Sequence, residues 1–184
     1  YIIGQIYELF LDEALVIRED GHIETQEKPE VVDSQGAVNT PKNITDIIIE
    51  ETLRPLYENR TPEEVAQYRI ADICCGSGNF LLSAFEYIVN YHIEYYRNHA
   101  RENAERRGDI YQLAGSTNYI LSYERKRSIL KNNIFGVDID PLAVEVSKFS
   151  LLLKALENSS LEEAEAFHQR TNQRILPNLD ENIK

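Results

Sequence analysis

The sequence predicts an α/β protein: a partial parallel sheet flanked by long helices, with an N-terminal helix and β-hairpin extension. Three observations carry this. An apolar run stops at Asp72, turns through Gly76 and Gly78 and enters a long helix. A second apolar run, in NIFGVDIDPLAVE at residues 133 to 145, ends in Asp138 and leads into another helix at Pro141. Between the two runs lie a long helix, a loop and a second helix, enough chain for a crossover that leaves the strands parallel. With 184 residues, 42% hydrophobic and 27% charged, one domain with one core is expected, burying roughly two-thirds of its unfolded surface.

Residues 1 to 13 read as a helix with Ile2, Ile3, Ile6, Leu9 and Phe10 on one face. ALVIREDGHIETQ alternates around Asp20-Gly21, a dipeptide suited to a tight hairpin, so strands are expected at about 14 to 18 and 22 to 26. Residues 27 to 37 read as a loop. In NTPKNITDIIIEETLRPLY, Thr40 or Asn43 can cap a helix whose buried face takes Ile44, Ile47, Ile48 and Leu53. A short helix should start near Thr61, where Pro62, Glu63 and Glu64 suit a first turn. The first central strand is placed at 68 to 74, and its helix from about 79 to 107, about 40 Å long and able to project beyond the sheet. Residues 108 to 118, with Gly108, Gly115, Ser116 and Asn118, read as a loop, and 119 to 132 as a helix leading to the second strand at 134 to 138. Pro141 starts a helix through about 155, and an acidic helix follows at about 160 to 173. Tyr87, Tyr91, Tyr95 and Tyr96 on the long helix fit core packing, with contact to another domain as the alternative.

No run approaches the ~18 apolar residues of a membrane span, and the N-terminus lacks the basic-then-apolar order of a secretory signal, so a cytoplasmic protein is expected. Cys74 and Cys75 are adjacent, a poor geometry for a disulfide, and no clustered His completes a metal site with them; they fit small buried residues at a strand end. The chain holds no Met and starts in the apolar stretch YIIGQIYELF, as a piece of a longer protein would. Net charge is −12, which argues against this segment alone gripping a phosphate backbone. Residues 1 to 35 carry nine acids against two bases, and residues 92 to 131 eight bases against five acids. Contact with nucleic acid would favour the second region, although a solvated helix face of mixed charge accounts for it better.

Two neighbouring parallel strands, each delivering an acid at its carboxyl end beside a glycine turn, can hold a ligand carrying both an ammonium group and a ribose. The dinucleotide signature would want a third glycine at position 81, which is Leu, and an acid about 20 residues on; Asp138 comes 60 residues after Gly78. A phosphate-binding loop fits worse, because Asn79 and Phe80 follow Gly78 where Lys and Ser/Thr would be required. Singly, Gly76 and Gly78 could merely close a turn and Asp138 could cap the helix beginning at Pro141; jointly they favour the ligand site.

GAVNTPKNITDIIIE (36 to 50), ADICCGSGNFL (71 to 81) and NIFGVDIDPLAVEVSKFSLLL (133 to 153), in this order, resemble three motifs of the class I S-adenosylmethionine-dependent methyltransferases. Within that family the chain looks like the adenine-specific DNA methyltransferases of restriction-modification systems, whether type II/IIG-like or like a type I modification subunit. The resemblance implies a Rossmann-like core, with residues 1 to 35 as an extension and 36 to 184 as a partial cofactor-binding domain. It implies S-adenosylmethionine as cofactor, with Thr40 and Pro41 against its methionine part and Asp72 facing its ammonium group. Gly76 and Gly78 would let the backbone approach, Cys74 and Ser77 would line the same turn, and the amides near Asn79 and Phe80 would suit the carboxylate. Asp138 would accept both ribose hydroxyls and Ile139 would pack on the adenine ring.

The resembled enzymes also carry an Asn/Asp-Pro-Pro-Tyr/Phe segment that holds a flipped target base. Here Pro29, Pro41, Pro55, Pro62, Pro141 and Pro177 are all isolated, so no catalytic residue is assigned. The implied chemistry is in-line attack of the adenine amino nitrogen on the sulfonium methyl, for which the protein supplies position and electrostatics and no metal is required. DNA, met through the full-length protein, and restriction or specificity domains or subunits are the implied partners, with no membrane. Two other readings stay open: the same cofactor with an RNA, protein or small-molecule acceptor, and a noncatalytic binding module of the same fold.

Overall fold

A computed structural model describes residues 3–4, 6–7, 13–18, 20–27, 40–113 and 115–184. Residues 3, 4, 6 and 7 are helical, as read for the N-terminus, although Ile6 of the expected apolar face is 48% exposed. Ile2, Leu9, Phe10 and residues 28–37 of the expected loop lie outside the described residues, and Glu27, read as the start of that loop, ends a strand. Strands β1 (Glu13–Ile17) and β2 (Ile23–Glu27) form the expected antiparallel hairpin, each within a residue of its predicted place. Asp20-Gly21 makes its turn: Gly21 N–H donates to Arg18 O, and Asp20 Oδ1 accepts from the His22 amide.

Helix α1 (Lys42–Tyr57) starts at Pro41 with no side-chain cap, so neither Thr40 nor Asn43 fills the expected role. Its buried stripe is Thr45, Ile49, Leu53 and Tyr57, while Ile44, Ile47 and Ile48 are 43%, 57% and 43% exposed. Ile47 to Ile49 offer more than one apolar face, and polar contacts select among them. Lys42 and Asp46 sit one turn apart on the stripe that continues through Ile49 and Leu53. Asp46 accepts from Ser83 Oγ at 2.8 Å and Lys42 pairs with Glu86, which fixes the rotation of α1 on its neighbour. Helix α2 (Pro62–Val65) opens with a reciprocal capping box between Thr61 and Glu64, as its first-turn residues suggest.

Strand β3 (Ile70–Asp72) leads into α3 (Asn79–His99), the central helix. The predicted continuation to residue 107 is instead a separate helix α4 (Arg101–Arg107), broken from α3 at Ala100 (φ −145°, ψ 28°) without any Gly or Pro. The predicted loop and helix start at 108 to 121 are also corrected. Strands β4 (Ile110–Gln112) and β5 (Tyr119–Leu121) pair antiparallel, and Ser122 then caps α5 (Tyr123–Asn133). Strand β6 (Ile134–Gly136) pairs parallel with β3, register Asp72 opposite Gly136. Helices α6 (Pro141–Leu156) and α7 (Leu161–Thr171) match their predicted spans closely.

The last residues add a parallel pairing that the sequence reading omitted. Ile183 bridges Gly136, with the Gly136 amide donating to Asn182 O and the Asp138 amide to Lys184 O. The buried Asn182 amide donates to Ile134 O and Lys131 O, both at 2.9 Å, and so fastens this segment beneath β6. The order across the sheet is therefore β3, β6, then residue 183.

Leu81, Ala84, Phe85 and Ile88 of α3 form the core with Leu130, Ile134, Leu151 and Ile183, all at most 1% exposed. α3 packs on α1, α5, α6 and both parallel strands. On the opposite face of the sheet Ala71, Ile73 and Val137 are exposed. The Tyr57 ring meets those of Tyr68, Tyr87 and Tyr91 edge to face at 5.7, 5.8 and 5.1 Å, Tyr96 is 1% exposed and Tyr95 packs against the same cluster, so all four tyrosines of the long helix serve the core as expected. No helix among the described residues is long and apolar enough to cross a membrane.

Part of the basic stretch is engaged internally. Asp109 accepts from Arg107 Nε and Arg125 Nε, each at 2.7 Å, and Lys126, buried, donates to Glu157 O and Ser159 Oγ. Beneath this network His92 is buried, and burial, reinforced by Arg125 and opposed by Asp109, pushes its pKa down to about 4. The folded state thus prefers neutral His92, whereas the unfolded chain takes up a proton near pH 6.5. The stabilisation is complete above pH 6.5 and shrinks by an amount on the order of 3 kcal/mol as pH falls towards 4. Denaturant unfolding of wild type and His92→Leu across this window should show a shallower acid loss in the variant; equal slopes would contradict the assignment.

Candidate cofactor site

The site lies where β3 and β6 end together. Val137 N–H donates to Asp72 O at 2.8 Å and Cys75 N–H to Val137 O at 3.0 Å, carrying the strand pairing one step beyond the ladder. A Cβ at Gly136 would lie 2.7 Å from Leu81 Cδ1, so this face of the sheet looks at α3. Asp72 is level with Gly136 and Asp138 follows two residues on, so strand alternation directs both carboxylates to the same side.

The two acids are held differently. Asp72 Oδ1 accepts from the Cys74 amide at 3.1 Å, a local turn bond. Asp138 reaches across: its Oδ2 accepts from the Gly76 amide at 2.7 Å and its Oδ1 from the Asp140 amide at 2.9 Å. A carboxylate has about four acceptor directions, so among the described residues one on each oxygen remains for further donors. Asp140, not Asp138, caps α6, its Oδ1 accepting from the Leu142 amide. Asp138 is thereby left out of the capping role. Ile139 projects from this loop 99% exposed.

Gly78 precedes α3 at φ +86°, and a Cβ there would lie 2.3 Å from Ser147 Oγ. Conformation and space both demand glycine at this point. Ser77, Gly78 and Asn79 are buried, Gly76 and Phe80 half-buried, and Cys74 exposed, which corrects the expectation that both cysteines are buried. Cys75 is the buried one. Burial, then the nearby carboxylates of Asp138 and Asp72, pushes its thiol up to about 11.

Thr40 and Pro41 reach the same end of the molecule through helix pairing. Asp46 of α1 meets Ser83 of α3, and Tyr57 meets Tyr87 and Tyr91, so the two helices run in the same direction side by side. The start of α1 therefore stands beside the start of α3. Residues 36–39 of this motif lie outside the described residues. The sequence reading missed Asp140 and Ser147, which were signalled only by the Asx position before Pro141 and by a small polar residue within an apolar helix. It also missed Gly4, whose Cβ would lie 3.0 Å from Ser77 Oγ, and Tyr7, whose hydroxyl donates to Asp140 Oδ2.

Two measurements check this geometry. Gly78→Ala should lower unfolding free energy by on the order of 2 kcal/mol, and by less in a Ser147→Ala background, because the steric part is then relieved. Additive losses would refute the contact. Iodoacetamide near neutral pH should modify Cys74 and spare Cys75 until the protein is denatured; similar labelling of both in the folded protein would contradict the burial and raised pKa of Cys75.

Known proteins resemble the chain over this same region. The family model of the MmeI DNA-methyltransferase domain matches residues 51–183. The chain is 37% identical over 182 residues to the type II restriction enzyme and methyltransferase RM.Eco57I of Escherichia coli, covering 99% of this chain and 17% of that protein. It is 32% identical over 122 residues to the putative type II restriction enzyme and methyltransferase RM.MjaORFECS2P of Methanocaldococcus jannaschii, 66% of this chain and 8% of that protein. The adenine-specific methyltransferase PglX of Streptomyces coelicolor is 29% identical over 124 residues, 67% of this chain and 8% of its own length. The chain thus spans less than a fifth of the length of these relatives. Since the family model matches well over half of its residues, and spans the glycine turn, Asp72 and Asp138, the chain belongs to the MmeI DNA-methyltransferase domain family.

Proposed function

We propose that this chain is the S-adenosylmethionine-binding part of a site-specific DNA adenine methyltransferase in a restriction-modification system, working in the cytoplasm. The observation that carries the reading is the pair of acids: Asp72 and Asp138 emerge on one side of two paired strands, around the glycine turn, with Asp138 already oriented by two backbone amides. The names of the relatives, restriction enzymes and adenine-specific methyltransferases, favour DNA adenine over an RNA, protein or small-molecule acceptor. β3, β6 and the pairing at Ile183 would then be part of a Rossmann-like sheet, with 36 to 184 as the partial cofactor domain and 1 to 35 as its extension.

The residues present fit that cofactor. The free acceptor directions of Asp138 suit two neighbouring ribose hydroxyls, and the exposed Ile139 beside it offers an apolar surface for adenine. Asp72 suits the ammonium group, and the amides entering α3 at Asn79 and Phe80 suit the carboxylate. Cys74, Ser77, Gly76 and Gly78 line the turn between these ends, and Thr40 and Pro41 flank the methionine part from the start of α1. When bound, S-adenosylmethionine supplies a methyl group on a cationic sulfur, and the chain's own part is to fix that group's direction. The acceptor base and the DNA backbone would be met by other regions of the full-length protein, alongside restriction or specificity parts.

Calorimetry of the full-length protein with S-adenosylhomocysteine tests the reading. Wild type should bind, and Asp138→Ala should bind at least about tenfold more weakly, equivalent to about 1.4 kcal/mol, with an unchanged circular dichroism spectrum. A folded wild type that takes up neither the donor nor this product would overturn it.

A further inference from the structure

We propose that the N-terminal residues Gly4 and Tyr7 form a wall of the cofactor site, and that Tyr7 is a positioning residue for Asp138. The inference rests on the cofactor reading above and assigns a role to residues which that reading leaves in an extension.

Gly4 and Tyr7 are three residues apart on helical backbone, so they share one face. That face touches both halves of the site. Gly4 lies on the glycine turn so closely that a Cβ would sit 3.0 Å from Ser77 Oγ, 3.2 Å from Ser77 Cβ and 3.4 Å from Asn79 Oδ1. Tyr7, 7% exposed, donates its hydroxyl to Asp140 Oδ2 in the acid loop. One short segment therefore spans from the turn after β3 to the loop after β6.

A relay of hydrogen bonds starts at the Tyr7 hydroxyl. Asp140 holds the phenol with Oδ2 and the Leu142 amide with Oδ1, so both of its oxygens are committed and its rotamer is fixed between the two donors. The Asp140 amide donates to Asp138 Oδ1, and the other oxygen of Asp138 receives the Gly76 amide. The plane of the Asp138 carboxylate thus depends on where Asp140 sits, and Asp140 is tied to Tyr7. Phe at position 7 would fill the same space without the bond. The hydroxyl acts on the aim of the acid that is to receive the ribose, beyond any packing role of the ring.

The experiment is a double-mutant cycle on the full-length protein, read by S-adenosylhomocysteine affinity and by methyl transfer. Tyr7→Phe should weaken affinity roughly three- to tenfold, the scale of one hydrogen bond, while the rate at saturating cofactor stays at the wild-type level. In an Asp138→Asn background, which keeps an acceptor but not the charge, the same substitution should cost much less. Asp140→Ser, whose single shorter oxygen preserves a cap for α6 but withdraws the second carboxylate oxygen that the phenol reaches, should reproduce the Tyr7→Phe effect and serves if Tyr7→Phe fails to fold. Wild-type affinity in Tyr7→Phe or Asp140→Ser, or equal losses in both Asp138 backgrounds, would overturn the inference while the cofactor reading stands. Absence of binding by folded wild type would remove the cofactor reading itself, and this inference with it.

Discussion

The hydrogen bond from the Gly76 amide to the Asp138 carboxylate is the joint on which the site depends. The two groups are 62 residues apart in sequence, and the ladder between β3 and β6 is only three residues long. So short a ladder leaves the loops beyond it poorly constrained on its own. A charge-assisted bond at 2.7 Å between those loops locks the glycine turn against the acid and, together with the Asp140 amide on the other oxygen, fixes the orientation of the carboxylate. Asp138 and Asp72 lie close enough to the buried Cys75 to help raise its thiol pKa, so the side of the site they share favours a cation.

Helix α3 makes that joint rigid. Its first residues close the turn, its next turn meets Asp46 of α1, and its middle carries the core residues Phe85 and Ile88. A displacement of α3 would therefore move the amides entering the helix, the start of α1 and the floor under Gly136 together. The site stands on one buried element, with the loops carrying Gly76 and Asp138 short and fastened by backbone bonds. On the other face of the sheet, Ala71, Ile73 and Val137 are uncovered among the described residues, which is unlike the two-sided burial of a complete parallel sheet.

The parts of this arrangement that were legible in the sequence are those whose chemistry is local. Asp20-Gly21 makes a hairpin, Thr61 with Glu64 makes a capping box, and Pro141 after an Asx residue starts a helix, because each needs only its neighbours. Gly78 was legible for the same reason, although the Ser147 contact that makes it indispensable comes from a helix 69 residues on. What failed was decided at a distance. The three consecutive isoleucines of α1 gave no clue to which face would be buried, since Ser83 and Glu86 made that choice. The break at Ala100 has no Gly or Pro to mark it, while the neighbouring Ala104 is fully buried. Residues 110 to 121 looked like loop and helix because each strand there is only three residues long, too short for a period of two to show. Ile183 pairs with Gly136 only because the Asn182 side chain finds three carbonyls around the end of α5, a fit that composition does not reveal.

Charge settles how labour divides around the site. A chain of net −12 is repelled by a phosphate backbone, and in its most basic stretch Arg107 and Arg125 are committed to Asp109, Lys126 is buried against Glu157 and Ser159, and the Arg127 guanidinium lies over the Phe167 ring. Using those groups on DNA would require breaking interactions that hold α5 to α4 and α7, at the cost of leaving a buried carboxylate unpaired. The same acidity is no obstacle to a cationic methyl donor, whose ammonium and sulfonium groups are attracted by it. The charge balance of this chain therefore fits the proposed hold on a cationic methyl donor better than a grip on phosphate.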